Sequence, residues 1–254
     1  MLFFFIRVLT VIIPLLYFVA LRTMLYFNNV WYVFLLFILV INGLYFWLLR
    51  SKNKQAKFGF LFLYSLPYIV TGFLYLLILE NAIIISLFLL AWAFIYWLYL
   101  EAVFHYFFQT KQVLLIDLKH IIAYSNSVII FFLVATLVNF SIFLNLAWYI
   151  ILPVVALVIF VLLRALFIFE NLDQKVVYYY TVIIDLLLIE LLWSLLFWPV
   201  SFYVIALVIT LAYYLAVSMS KAYLAKALNS KLVIKYLIFA MVALALVLGT
   251  ATWI

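Results

Sequence analysis

The chain has 254 residues, of which 74% are hydrophobic and only 8% are charged. A soluble globular protein is roughly half apolar and about a quarter charged, so this composition excludes a water-soluble domain, and the excess of apolar residues excludes a disordered chain. The sequence contains no cysteine, which excludes disulfides, thiolate nucleophiles and cysteine metal sites. The net charge of +7 does not indicate a nucleic-acid partner, because the basic residues lie in short stretches between apolar runs, as in membrane proteins.

Nine apolar runs follow one another along the sequence, each close to the roughly 20 residues that a helix needs to cross a bilayer. Their approximate bounds are 2–21, 30–49, 58–79, 82–100, 121–142, 146–163, 176–198, 200–219 and 236–254. The runs are continuously apolar and do not alternate, which favours helices over membrane β-strands. The sequence therefore predicts an all-α, polytopic integral membrane bundle of nine helices, forming one transmembrane domain over residues 1–254 without a soluble domain.

The first run is the one for which a second interpretation exists. Only a short apolar stretch separates Arg7 from Arg22, so these side chains would extend toward opposite interfaces. The alternative is a cleaved signal peptide, but no basic residue precedes Phe3, and the segment 19–22 is not a small-x-small cleavage sequence. We expect the first run to be retained as a span.

The distribution of basic residues predicts the orientation of the bundle. With nine spans and a cytoplasmic N-terminus, the C-terminus lies outside, and every Lys and Arg except Arg22 falls on the cytoplasmic side, which is the positive-inside pattern. We expect the protein in the cytoplasmic (inner) membrane of a bacterium, with the lipid bilayer as a partner. Basic stretches of this kind attract anionic lipid headgroups. The residues that we assign to headgroup contacts are Arg50, Lys52, Lys54, Lys57, Lys221, Lys226, Lys231 and Lys235.

Two carboxylate–histidine pairs lie at the predicted cytoplasmic ends of the fourth and fifth spans. Glu101 and His105 are four residues apart and so share a helical face, and Asp117 and His120 lie just before the fifth span. Two histidines and two carboxylates suit zinc, iron or manganese, so these four residues are a candidate site for a divalent metal. The alternative is an interfacial turn in which the two carboxylates balance nearby lysines.

The seventh span contains two further carboxylates, Asp185 and Glu190. Asp185 lies about 13 Å along the helix, near the middle of the bilayer, and placing a carboxylate there costs on the order of 3 kcal/mol. The two side chains are about 140° apart around the helix, whereas Thr181 shares a face with Asp185. The pattern indicates a proton relay through Thr181, Asp185 and Glu190. The alternative is a protonated Asp185 that is hydrogen-bonded to Thr181 or to a neighbouring helix.

Three functions follow from these residues. Short connections, sparse polar residues and only 4 glycines favour a non-enzymatic scaffold or accessory subunit that contacts other membrane-protein subunits through its bulky apolar surface. The second hypothesis is a proton-coupled transporter of a small solute that uses Asp185 and Glu190. The third is a metal-dependent membrane enzyme at the cytoplasmic face that uses the four residues of the candidate metal site.

Overall fold

A computed structural model of the chain describes residues 2–25, 31–52, 58–108, 118–168, 174–224 and 228–250. These residues form α1 (Leu2–Met24), α2 (Trp31–Lys52), α3 (Phe58–Leu76), α4 (Ala82–Phe108), α5 (Leu118–Phe143), α6 (Trp148–Ile168), α7 (Gln174–Leu195), α8 (Phe202–Leu224) and α9 (Ser230–Thr250). Each predicted run corresponds to one helix, so the all-helical prediction is confirmed.

Seven of the described helices, α1, α2 and α4 to α8, are long and apolar enough to cross a membrane. Helices α3 and α9 contain the shorter apolar segments Phe62–Leu76 and Val233–Ala245. The chain is therefore a multi-pass helical membrane protein. The count of nine spans and the orientation of the termini remain predictions.

Local sequence explains how several helices begin, bend and connect. The Asn81 side chain caps α4, because its Oδ1 accepts hydrogen bonds from the backbone N–H of Ile83 at 2.9 Å and of Ile84 at 3.3 Å. Asn145 has a positive φ of 52° in the turn between α5 and α6, a conformation that asparagine tolerates better than most residues. Prolines lie inside α1, α3 and α6, as is common in membrane helices, where neighbouring groups satisfy the freed carbonyl.

The chain divides into two compact units, Met1–Ser125 (unit 1) and Asn126–Ile254 (unit 2). In unit 1, α1 packs most extensively against α4 and also against α2, while α3 packs against α2 and α4. Its interior is rich in aromatic side chains, and Tyr17, Tyr45, Trp92 and Tyr96 are almost completely buried. In unit 2, α7 packs between α6 and α8, and α9 packs against α8.

Candidate functional site

The interior of unit 1 contains a set of hydrogen-bonded side chains that we call the unit 1 polar network. Asn42 of α2 donates from Nδ2 to Ser65 Oγ of α3 at 2.5 Å, and its Oδ1 accepts from the Tyr96 hydroxyl of α4 at 2.7 Å. The Tyr68 hydroxyl of α3 lies 2.6 Å from Ser125 Oγ of α5. All five side chains are buried. In a membrane such bonds between helices fix which helices pack together.

Two further donors reach backbone carbonyls of α3. The Tyr17 hydroxyl donates to the Ile69 carbonyl at 3.0 Å, and Trp92 Nε1 donates to the Tyr68 carbonyl at 2.8 Å. Gly72 lies where both donors approach α3, and a Cβ atom at this position would overlap the Trp92 and Tyr17 side chains. The missing side chain of Gly72 therefore makes room for two hydrogen bonds that hold α1 and α4 against α3.

Glu101 connects α4 to α1 at the end of the unit 1 interior. Its Oε2 accepts a hydrogen bond from Thr10 Oγ1 at 3.0 Å, and its Oε1 lies 3.0 Å from His105 Nε2. The side chains of His105 and Glu101 are only 17% and 14% exposed. The predicted shared face of Glu101 and His105 is thus observed. Each carboxylate oxygen of Glu101 therefore has one protein partner, Thr10 or His105.

The rest of the candidate metal site lies outside what the structure describes. Asp117 is outside the described residues, and His120 is described as part of α5 without its side chain. Among the described residues, no group of three or more His, Cys, Asp or Glu side chains is placed to hold a metal ion. A shared metal at these four positions therefore remains a prediction.

The two carboxylates of α7 have different surroundings. Asp185 is partly buried, and its Oδ1 atom is buried without a hydrogen-bond partner among the described residues. Thr181 is buried and donates to the Val177 carbonyl at 2.7 Å, and no hydrogen bond joins the Thr181 and Asp185 side chains. Glu190 is exposed. The contrast agrees with the predicted separation of the two carboxylates around the helix, while the proton relay itself stays a prediction.

Glu190 belongs to a stripe of exposed side chains along α7 that we call the α7 seam. The seam consists of Tyr179, Ile183, Leu186, Glu190 and Trp193, all of which are exposed. Their positions are four, three, four and three residues apart, the spacing of a heptad repeat, in which such positions line the contact between two packed helices. Glu190 is the only charged member of this apolar seam.

Unit 2 also contains a cavity of about 350 Å³ between the α5–α6 turn and the α7–α8 turn. Three tryptophans, Trp148, Trp193 and Trp198, line it together with Phe197, and Ser141 supplies a hydroxyl. No charged side chain contributes to the wall among the described residues. Chemically, a cavity of this lining suits an apolar or neutral group, such as part of a lipid chain.

Two hydrogen bonds from Asn126 join three helices in the core of unit 2. Asn126 of α5 donates from Nδ2 to the Leu162 carbonyl of α6 at 3.1 Å and to the Tyr213 hydroxyl of α8 at 3.3 Å. Asn126 and Tyr213 are both about 99% buried. This contact is the unit 2 counterpart of the network in unit 1.

The basic residues assigned to lipid headgroups are only partly described. Lys231 and Lys235 are exposed at the start of α9, and Lys221 is partly exposed near the end of α8, which permits headgroup contact. Arg50 and Lys52 are described as helical residues without their side chains. The remaining three, Lys54, Lys57 and Lys226, lie outside the described residues.

Sequence reasoning missed the unit 1 polar network and the role of Gly72. A signal was present, because Asn42 and Ser65 are polar residues inside apolar runs, and such residues usually face the interior of a bundle. The sequence did not indicate which polar residue of one helix would contact which residue of another helix. The low glycine content, taken alone, also gave no indication that two side chains approach α3 closely at Gly72.

Comparison with known protein families gives a match that covers most of unit 2. Residues 120–250, just over half of the chain, match the family described as a protein of unknown function (DUF5656). The α7 carboxylates and the tryptophan-lined cavity lie inside this segment, whereas Glu101, His105 and nearly all of the unit 1 polar network lie outside it. No curated protein and no solved structure matches the chain.

Proposed function

Because this chain belongs to the DUF5656 family, whose function is unknown, we propose from its structure that it is an accessory or scaffold subunit of a membrane complex. The proposal includes the cytoplasmic membrane of a bacterium as its location, and the basic residues between the spans support a cytoplasmic position of the connections that carry them. Partner subunits would pack against α7, and the α7 seam is the observation that carries this proposal.

The α7 seam lies within a segment that is long enough to cross the bilayer. The apolar segment Lys175–Leu195 has 21 residues, which as helix cover about 31 Å, close to the thickness of the hydrocarbon core. Glu190 lies about 7.5 Å from the Leu195 end and therefore inside the hydrocarbon. A carboxylate exposed to lipid costs up to about 3 kcal/mol, depending on its depth. A partner helix that covers the seam would remove this cost.

The other residues of the seam favour contact with a partner helix and not only contact with lipid chains. Lipid chains place no requirement on the order of apolar residues, whereas a second helix packs into positions at heptad spacing. The seam offers two large aromatic side chains, Tyr179 and Trp193, on either side of Glu190. Aromatic residues of this size supply much of the contact area in protein interfaces.

Native mass spectrometry of the protein released from nanodiscs made with its native membrane tests the proposal. We expect a second membrane protein in fixed stoichiometry. Since the chain lacks cysteine, single-cysteine variants report contacts without background. A cysteine at Leu186 should cross-link to the partner, and a cysteine at Glu80, which is exposed between α3 and α4, should not. A protein that is monomeric in native membranes and cross-links at neither position would contradict the proposal.

Proton-coupled transport is a second candidate, favoured by the buried Asp185 Oδ1 atom that lacks a partner among the described residues. A carboxyl group near the middle of the bilayer without a fixed donor can exchange a proton with a passing solute. In vesicles with a pH gradient, Asp185→Asn should abolish solute flux while the folded protein is retained, and Glu80→Gln should leave flux unchanged. Flux that persists in Asp185→Asn excludes this role for Asp185.

A further inference from the structure

We propose that the partner of the α7 seam is a transmembrane helix that places a lysine or arginine opposite Glu190. This inference rests on the proposed function and adds the chemistry by which the partner is selected. The observations behind it are the exposed carboxylate within an apolar seam and the absence of a cation at its depth among the described residues of unit 2, and the poor fit of a second copy is argued from them.

Within the part of the chain that the structure describes, no side chain hydrogen-bonds or ion-pairs with the Glu190 carboxylate. Its neighbour Ser194 donates to the Glu190 backbone carbonyl at 3.0 Å, so this hydroxyl does not serve the carboxylate. An intramembrane carboxylate of this kind finds a cation or a hydrogen-bond donor in functional membrane proteins. Here the donor has to come from outside the described residues.

The described cations of unit 2 lie at the opposite end of its helices. They occur near the C-terminal ends of α6 and α8 and near the N-terminal ends of α7 and α9: Arg164, Lys175, Lys221, Lys231 and Lys235. Helices joined by short connections run antiparallel, so these ends are on one side of the unit. Along α7, Lys175 is about 22 Å from Glu190, which is too far for an ion pair.

A second copy of the chain is a poor occupant of the seam. A symmetric pair would place the same residues against each other, so Glu190 of one copy would face Glu190 of the other. Two ionised carboxylates in a medium of low dielectric constant repel strongly, so such a pair would have to take up a proton to form. A helix with a basic residue at the matching depth provides the complementary charge, and a single polar residue in a heptad seam is known to select partner and register.

The test uses synthetic transmembrane peptides as probes. The first peptide is polyleucine with one arginine placed at the depth of Glu190, and the second has leucine at that position. Binding to the full-length protein in liposomes is followed by energy transfer from a dye on a single cysteine introduced at Asn229, which is exposed just before α9. We expect the arginine peptide to bind the otherwise unchanged protein at least tenfold more tightly than the leucine peptide.

Three variants identify the carboxylate responsible. Glu190→Gln keeps the size of the side chain and should abolish the preference for arginine. Asp185→Asn alters the other carboxylate of α7, which lies outside the seam, and should leave the preference intact, as should Glu80→Gln. Equal binding of the two peptides, or a preference that survives Glu190→Gln, overturns the inference.

Measurements on the native complex distinguish a failure of this inference from a failure of the proposed function. If a stoichiometric partner is found and stays bound to the Glu190→Gln protein with unchanged affinity, the accessory role stands and the charge-based selection is refuted. If the seam instead joins two copies, cross-links at Leu186 will connect identical chains, and this result also refutes the inference. Loss of the partner in Glu190→Gln, with retention in Asp185→Asn, supports both.

Discussion

Replacing Gly72 by alanine is expected to destabilise unit 1, although alanine is the better helix former. Gly72 lies in α3 at the point where the Tyr17 hydroxyl and Trp92 Nε1 reach the carbonyls of Ile69 and Tyr68. A Cβ atom at this position would overlap both side chains. To relieve the overlap, α1 or α4 has to move away from α3, or one of the two donors has to leave its carbonyl.

The magnitude follows from these contacts. Inserting a methyl group into a packed interior costs about 1–3 kcal/mol, and each interhelical hydrogen bond lost in a membrane protein costs about 0.6–2 kcal/mol. The gain in helix propensity from glycine to alanine is at most about 1 kcal/mol. If the added methyl group also breaks one of the two hydrogen bonds, we expect Gly72→Ala to lower the free energy of unfolding by about 1–4 kcal/mol.

Two other glycines provide matched controls in the same chain. At Gly43 the nearest atom to a new Cβ is a Phe62 ring carbon at the ordinary distance of 3.8 Å, and at Gly249 no atom lies within 4 Å. Unfolding in mixed micelles with increasing SDS, followed by tryptophan fluorescence, compares Gly72→Ala, Gly43→Ala and Gly249→Ala. The controls should be neutral or slightly stabilised. If Gly72→Ala is as stable as Gly249→Ala, the close packing of Tyr17 and Trp92 on α3 is refuted.

Three further outcomes are expected. Asn42→Leu leaves the Tyr96 hydroxyl without its acceptor and should lower the stability of unit 1 by about 1–3 kcal/mol in the same SDS titration; an unchanged midpoint would contradict the polar network. Tyr213→Phe removes one acceptor in the core of unit 2 and should cost about 0.6–1 kcal/mol, measured in the same way. In intact spheroplasts, a membrane-impermeant maleimide should label a cysteine at Glu80 but should label one at Asn229 only after permeabilisation, and the reverse pattern refutes the predicted orientation.

The helices were predictable because hydrophobic length alone determines where a chain can cross a bilayer. Their ends were predicted less well at the predicted cytoplasmic side. Helix α4 continues to Phe108, whereas the apolar run ends at residue 100, and α9 begins at Ser230, before the run that starts at residue 236. A helix can continue beyond the hydrocarbon into the headgroup region and water. A hydropathy pattern therefore predicts the membrane-spanning segment and not the residue at which the helix ends.

For the candidate sites, the spacing of residues predicted side-chain contacts within one helix but not contacts between helices. The contact of Glu101 with His105 follows from their separation of four residues. The contact of Glu101 with Thr10 joins residues 91 positions apart, and no pattern in a single sequence encodes that pairing. The exposure of Glu190 was likewise not predictable, because the sequence of α7 does not say which of its faces packs on α6 and α8.

The pairing of α1 with α4 has a consequence for the order in which the protein is made. Thr10 is synthesised 91 residues before Glu101, and at about 5–20 residues per second the interval is about 5–18 s. During that time α1 lacks α4, the helix against which it packs most extensively. For the 52 residues that separate Tyr17 from Ile69, the Tyr17 hydroxyl likewise lacks the carbonyl to which it donates a hydrogen bond. These contacts that hold α1 in unit 1 therefore form only after α3 and α4 have been synthesised, so the packing of unit 1 cannot be completed in the order in which its helices are made.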